Sequence, residues 1–125
     1  MTVSVFVNPK SWGSGAWMFL HCIGETFPES PTLEEQAHYR VFFESLQWVL
    51  PCKICRDHFG EWLTMYPLEN YLDSRTKIMD WIFLLHNYVN LRLEKPLLLN
   101  KEAAQQVMGE LCKRQISRCQ KLKKL

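Results

Sequence analysis

The apolar positions of this chain fall into helical rows separated by prolines and capping residues. Ala16, Trp17, Leu20, Ile23 and Phe27 recur at the three- and four-residue intervals that place side chains on one face of an α-helix. Ser11 is the N-cap this row suggests. Pro28 ends it, because a residue before proline is pushed out of helical backbone. A second helix is announced by Thr32-x-x-Glu35, the pattern of a capping box, followed by Tyr39, Phe42, Phe43, Leu46, Val49 and Leu50 on one face. Pro51 interrupts, and a third helix from about Cys52 to Met65 buries Phe59, Trp62 and Leu63 before Pro67. Ser74 caps a fourth, which carries Ile78, Trp81, Ile82, Leu85 and Val89 toward Arg92. "LEKPLLL" (Leu93 to Leu99) then forces a turn, and Asn100 can cap a fifth helix through Val107 to Leu111. The Val3, Val5, Val7 alternation is too short to found a sheet.

These rows predict an all-α fold: a four-helix bundle plus a short fifth helix, in antiparallel order because the connections are short. A chain of 125 residues is one domain with a modest core. We place that domain at residues 1–112, with a basic tail at 113–125. Hydrophobic residues make up 47% and charged residues 22%, ordinary for a globular protein, but five Trp, four Tyr and seven Phe are many for this length. Such rings fill cores, and they also line cofactor pockets.

Charge is unevenly spread. Lys113, Arg114, Arg118, Lys121, Lys123 and Lys124 stand in the tail with no acid, while the body has nine basic against thirteen acidic residues. A tail of this kind is ordinarily solvated, so no nucleic-acid partner is expected. No apolar stretch reaches the ~18 residues of a membrane span. The N-terminus lacks the charged region of a secretory signal. Five cysteines in that setting point to special cysteine chemistry rather than a secreted disulfide scaffold.

"VLPCKICRDHF" (Val49 to Phe59) holds the main chemical candidate, Cys52-x-x-Cys55. A structural zinc site needs four ligands, and Cys112 and Cys119 are poorly spaced to complete one, although His58 lies near Cys55. A thioredoxin-type site would follow a strand, and none is present. A redox dithiol remains. A cysteine at a helix start feels the unpaired backbone N–H groups, which favours thiolate. Cys22, on an apolar helix, reads as a buried inert thiol.

A redox dithiol requires an electron acceptor. "HNYVN" (His86 to Asn90) puts an imidazole and carboxamides on one side of the fourth helix, and Trp17 and His21 add two flat rings on the first. Buried polar groups need partners; either the core supplies them, or a heterocycle with carbonyl and ring-nitrogen edges does.

"WGSGAWMFLH" (Trp12 to His21), "FPESPT" (Phe27 to Thr32), "LPCKIC" (Leu50 to Cys55), "LHNYVN" (Leu85 to Asn90) and "LEKP" (Leu93 to Pro96) occur in this order, and together the chain resembles the Erv/ALR sulfhydryl oxidases. Its short format is most like the versions of large cytoplasmic DNA viruses. The resemblance implies a FAD-dependent thiol oxidase, with FAD at the mouth of the bundle and usually a homodimer. Cys52 and Cys55 would be the catalytic pair, Cys55 against the flavin and Cys52 outermost. Trp12, Gly13, Trp17, His21, His86, Asn87, Val89, Asn90 and Lys95 would contact the cofactor, with no metal.

By the same resemblance, electrons pass to O2, giving H2O2. Partners would be protein dithiol substrates or a thioredoxin-like relay protein. Cys112 and Cys119 are the possible shuttle pair, although seven residues of unbroken helix span about 10.5 Å, beyond the reach of a disulfide. The implied setting is host cytoplasm or virion for a viral protein, and the mitochondrial intermembrane space for a cellular one. Ser14 stands where many cellular members have Arg, and Glu94 where many have Gly. Lys77 and Asn100 occupy positions of a disulfide those members commonly carry. The alternative is a structural zinc-binding helical interaction module.

Overall fold

The computed structural model describes residues 7–98 and 100. Among them every regular element is helical: α1 (Pro9–Glu25), α2 (Leu33–Val49), α3 (Lys53–Met65), a short 3-10 turn (Leu68–Asn70) and α4 (Arg75–Arg92). The expected fifth helix and basic tail fall outside the described residues.

The helix starts follow side-chain chemistry. Thr32 and Glu35 form the complete capping box, Glu35 N–H donating to Thr32 Oγ1 at 3.1 Å and Thr32 N–H to Glu35 Oε1 at 2.9 Å. Ser74 Oγ accepts from the Lys77 N–H at 3.2 Å and starts α4. Each such cap is worth about 1 kcal/mol. For α1 the expected N-cap Ser11 is wrong. Asn8 caps it, its Oδ1 accepting from the Lys10 N–H at 3.0 Å, because Pro9 at the first helical position needs no acceptor and its fixed φ suits a helix start.

The core gathers one face of each helix: Leu20 and Phe27 from α1, Phe43 from α2, Phe59 and Trp62 from α3, and Ile78, Trp81, Ile82 and Leu85 from α4. Trp81 is at its centre, fully buried, with edge contacts to Phe43, Phe59 and Trp62 and its indole N–H on the Tyr66 carbonyl at 3.0 Å. Complete burial of such a side chain stabilises by about 1.5–3 kcal/mol. Val49 departs from its row and is 65% exposed, since α2 ends there and the chain turns outward at Leu50 and Pro51.

α1 packs on α4, and α2 on α3. Gly24 sets the first approach: a Cβ there would lie 3.0 Å from Ile82 Cδ1 and 3.4 Å from Met79 Cγ. Rings of α3 meet α4 in antiparallel order, Trp62 against Trp81 and Tyr88, then His58 against Tyr88. The start of α3 therefore lies toward the C-terminal end of α4. Cys52, Cys55 and the His86–Asn90 stretch thus share one end of the bundle.

Candidate functional site

The α1–α4 contact assembles the first half of the site. Trp17 stacks on His86 with ring centroids 4.0 Å apart and planes 9° from parallel. His21 Nε2 lies 3.0 Å from His86 Nδ1, so one imidazole donates and the other accepts. Both histidines are buried. Burial pushes the pKa of each down to about 4, and for His86 the positive charges of His21 and Lys95 act in the same direction. At neutral pH the pair is uncharged and holds one N–H between two nitrogens.

Asn90 follows one turn beyond His86. It is buried, and its carboxamide bonds to no described side chain or backbone group. After α4 the chain leaves through Glu94, whose φ of 57° lies in the left-handed region, and the Lys95 N–H donates to the Asn90 carbonyl at 2.8 Å. That backbone turn returns Lys95 to the neighbourhood of His86. Asn87 fastens the continuing segment: the Leu98 N–H donates to Asn87 Oδ1 at 2.7 Å, and Asn87 Nδ2 donates to the Leu98 carbonyl at 3.3 Å.

Trp17, His21, His86, Asn90 and Lys95 are thus brought together as the sequence suggested. Asn87 spends its carboxamide on the chain itself, and Val89 packs against the core. Trp12 and Gly13 sit in the first turns of α1. The Trp12 indole N–H is buried without an acceptor, and a Cβ on Gly13 would meet nothing within 4 Å.

The second half is the turn from α2 into α3. Arg56 donates through its guanidinium to the Leu50 carbonyl, which also accepts the Cys52 N–H at 2.8 Å. These bonds hold Cys52 as the N-cap of α3, where its sulfur accepts the Cys55 N–H at 3.3 Å. Both cysteines are half-buried free thiols. A helix start was expected to favour thiolate. Cys55 does the opposite: burial pushes its pKa up to about 12, the neighbouring Cys52 adds to that, and the opposing pull of its own backbone N–H and of Arg56 is weaker. Desolvation outweighs the helix end because Cys55 lies a turn inside α3, whereas Cys52 stands at its mouth.

Cys22 overturns the expectation of a buried inert thiol. It is half-buried and disulfide-bonded. Cys112 and Cys119 lie outside the described residues. Among the described residues no group of three or more His, Cys, Asp or Glu is placed to hold a metal ion, and no described helix is long and apolar enough to cross a membrane.

Sequence reasoning missed the polar seam between α3 and α4. The Tyr88 hydroxyl donates to Glu61 Oε2 at 2.7 Å, and Arg92 approaches the same oxygen at 3.7 Å. Its signal was the spacing of Tyr88 and Arg92, one helical turn apart, which marks a shared face without saying what meets it.

The chain is similar to known proteins in sequence and in fold. The profile of the Erv1 / Alr family matches residues 14–109. A protein of Acanthamoeba polyphaga mimivirus, described as a "probable FAD-linked sulfhydryl oxidase", is 35% identical over 102 residues, covering 81% of this chain and 71% of its own. The mitochondrial FAD-linked sulfhydryl oxidase of Schizosaccharomyces pombe is 35% identical over 85 residues, 68% of this chain and 47% of that protein. In three dimensions the chain is similar to the crystal structure of the FAD binding domain of Erv1 from Saccharomyces cerevisiae. The TM-score is 0.70 at 23% identity, over 81% of this chain and 90% of that one.

Proposed function

The chain belongs to the Erv1 / Alr family, and from that premise we propose how it acts: as a FAD-linked sulfhydryl oxidase whose Cys52–Cys55 pair takes electrons from dithiols. The observation that carries this reading is the asymmetry of the pair, one sulfur capping α3 at its mouth and the other desolvated one turn inside.

The residues fit the cofactor. A buried Trp12 N–H without an acceptor, the carboxamide of Asn90 without a described partner, and the stacked Trp17–His86 rings are what a heterocycle with carbonyl edges and flat faces would satisfy. Trp12, Trp17, His21, His86 and Asn90 would hold it, with Lys95 supplying positive charge and Gly13 leaving room. Asn87 supports this site by fastening the segment that carries Lys95, and Val89 by packing behind it. Bound there, FAD supplies the two-electron acceptor for the cysteine pair and the route to O2, released as H2O2.

The protein's own steps are thiol exchange. With the pair oxidised, a substrate thiolate attacks Cys52 Sγ, forming a mixed disulfide and releasing Cys55. Burial disfavours a Cys55 thiolate, so Cys55 takes up a proton as it leaves. The second substrate thiol then displaces Cys52, and substrate departs as a disulfide. Two electrons and two protons have moved from substrate to the Cys52–Cys55 pair.

The substrates are dithiols, with a protein dithiol or a thioredoxin-like relay the natural class. We assign the oxidase unit to residues 1–112 and the basic tail to 113–125, in a homodimer. Relatives come from viruses and from mitochondria; we place the activity in host cytoplasm or virion if viral, and in the intermembrane space if cellular. Oxygen uptake on dithiothreitol, by protein that carries flavin absorbance, tests the reading.

A further inference from the structure

Cys52 lies inside a short stretch of chain that exposes large apolar side chains. Trp48 is 75% exposed, Val49 65% and Ile54 63%. They come from the last turn of α2 and the first turn of α3, which pack together, so all three lie at the end of the bundle where Cys52 caps α3. The helical pattern placed Val49 in the core, yet it is outside, and neither Trp48 nor Ile54 belongs to the buried core.

Charge nearby is already answered. Lys53 pairs with Asp57 at 3.0 Å, and Arg56 is spent on the Leu50 carbonyl. The charges on this stretch are thus a salt-bridged pair and a guanidinium turned onto the backbone, beside three exposed apolar side chains. Single exposed apolar residues need no explanation, but three within four positions of one reactive cysteine mark an interaction surface.

We propose that Trp48, Val49 and Ile54 form a docking lip for substrate, selecting polypeptide segments whose cysteines are flanked by apolar side chains. The inference rests on the thiol-oxidase reading and names its substrate class. Its occupant follows from the chemistry: a thiolate in line with Cys52 Sγ must bring its neighbouring residues onto these side chains. Apolar neighbours gain from covering Trp48, whereas a small or charged thiol gains nothing there. The exchange is the one already balanced: the substrate dithiol loses two electrons and two protons to the Cys52–Cys55 disulfide.

The test uses the flavin-loaded enzyme and two reduced Cys-x-x-Cys peptides of equal length, one flanked by Leu and Phe, the other by Ser. Wild type should show at least a tenfold higher kcat/KM for the apolar peptide. Trp48→Gln/Val49→Gln should bring the two peptides within twofold of one another while dithiothreitol oxidation is unchanged. Ile54→Thr alone should reduce the preference partway, with circular dichroism showing that both variants fold. Equal rates on both peptides in wild type would overturn the proposal, as would a preference that survives the double variant. A change in oligomeric state on Trp48→Gln/Val49→Gln would also overturn it, assigning the patch to a second copy of the chain. Failure of wild type to oxidise dithiothreitol would instead remove the oxidase reading, and the proposal with it.

Discussion

His21 Nε2 and His86 Nδ1 face each other at 3.0 Å, a buried hydrogen bond that ties the first helix to the last described one. His21 lies four positions, one turn, after Trp17 on α1, and His86 stacks on the Trp17 ring, so packing, polarity and the candidate cofactor site depend on the same contact.

That contact makes stability pH-dependent. Both histidines have folded pKa values near 4 against an ordinary 6.5, through burial first. The unfolded chain therefore binds up to two more protons between those values, and stability rises with pH across the window. It is full above about pH 6.5 and is lost as pH falls toward 4, with a slope of up to about 2.7 kcal/mol per pH unit. Urea midpoints measured from pH 7.5 to 4.5 should fall in this way, and His21→Asn/His86→Asn should flatten the curve.

Gly24 leaves α1 no room to grow toward α4. Gly24→Val would press on Ile82 and Met79 and should cost about 1–3 kcal/mol by urea unfolding. An unchanged midpoint would mean that the two helices separate without penalty.

Glu94 holds a left-handed backbone that glycine adopts freely. Glu94→Gly should therefore stabilise the protein by up to about 1 kcal/mol, read as a rise in the unfolding midpoint. The sequence had already marked this position as a departure from glycine; the structure supplies the reason that glycine suits it.

Asn87 is a fastener. Asn87→Ala removes both bonds to Leu98 and should cost about 1 kcal/mol. It should also accelerate amide exchange at Leu98 far more than in the α4 core. Protection of Leu98 unchanged in the variant would contradict this role.

The tail cysteines face a limit of reach. Seven residues of unbroken helix would span about 10.5 Å, farther apart than the Cα atoms of a disulfide. Cys112→Ala/Cys119→Ala should therefore oxidise a reduced protein substrate at the wild-type rate. A slow protein substrate beside normal dithiothreitol oxidation would restore the relay.

Much of this was legible in the sequence because helical spacing reports burial directly. The Thr32 box, the Ser74 cap and the Ile78–Leu85 face all appear where the pattern put them. The pairing of Trp17 and His21 with His86 and Asn90 was legible as two polar-aromatic faces, but not their contact, which depends on Gly24 setting the distance between helices. Spacing could not show that Asn87 turns to Leu98, because an asparagine's partner is decided by where the chain goes after α4. Nor could it separate Val49 from its apolar row, since the row ends with the helix and only the turn at Pro51 decides which way the last side chain faces.

The central claim is that Cys52 and Cys55 form an asymmetric pair working with FAD held by the Trp17–His86 end of the bundle. The most direct test is oxygen uptake on dithiothreitol by wild type, Cys52→Ser and Cys55→Ser, with flavin absorbance recorded on each purified protein. All three should be yellow, because packing rather than a cysteine holds the cofactor, and only wild type should consume oxygen. A colourless wild-type protein, or full oxygen uptake by either serine variant, would contradict the account.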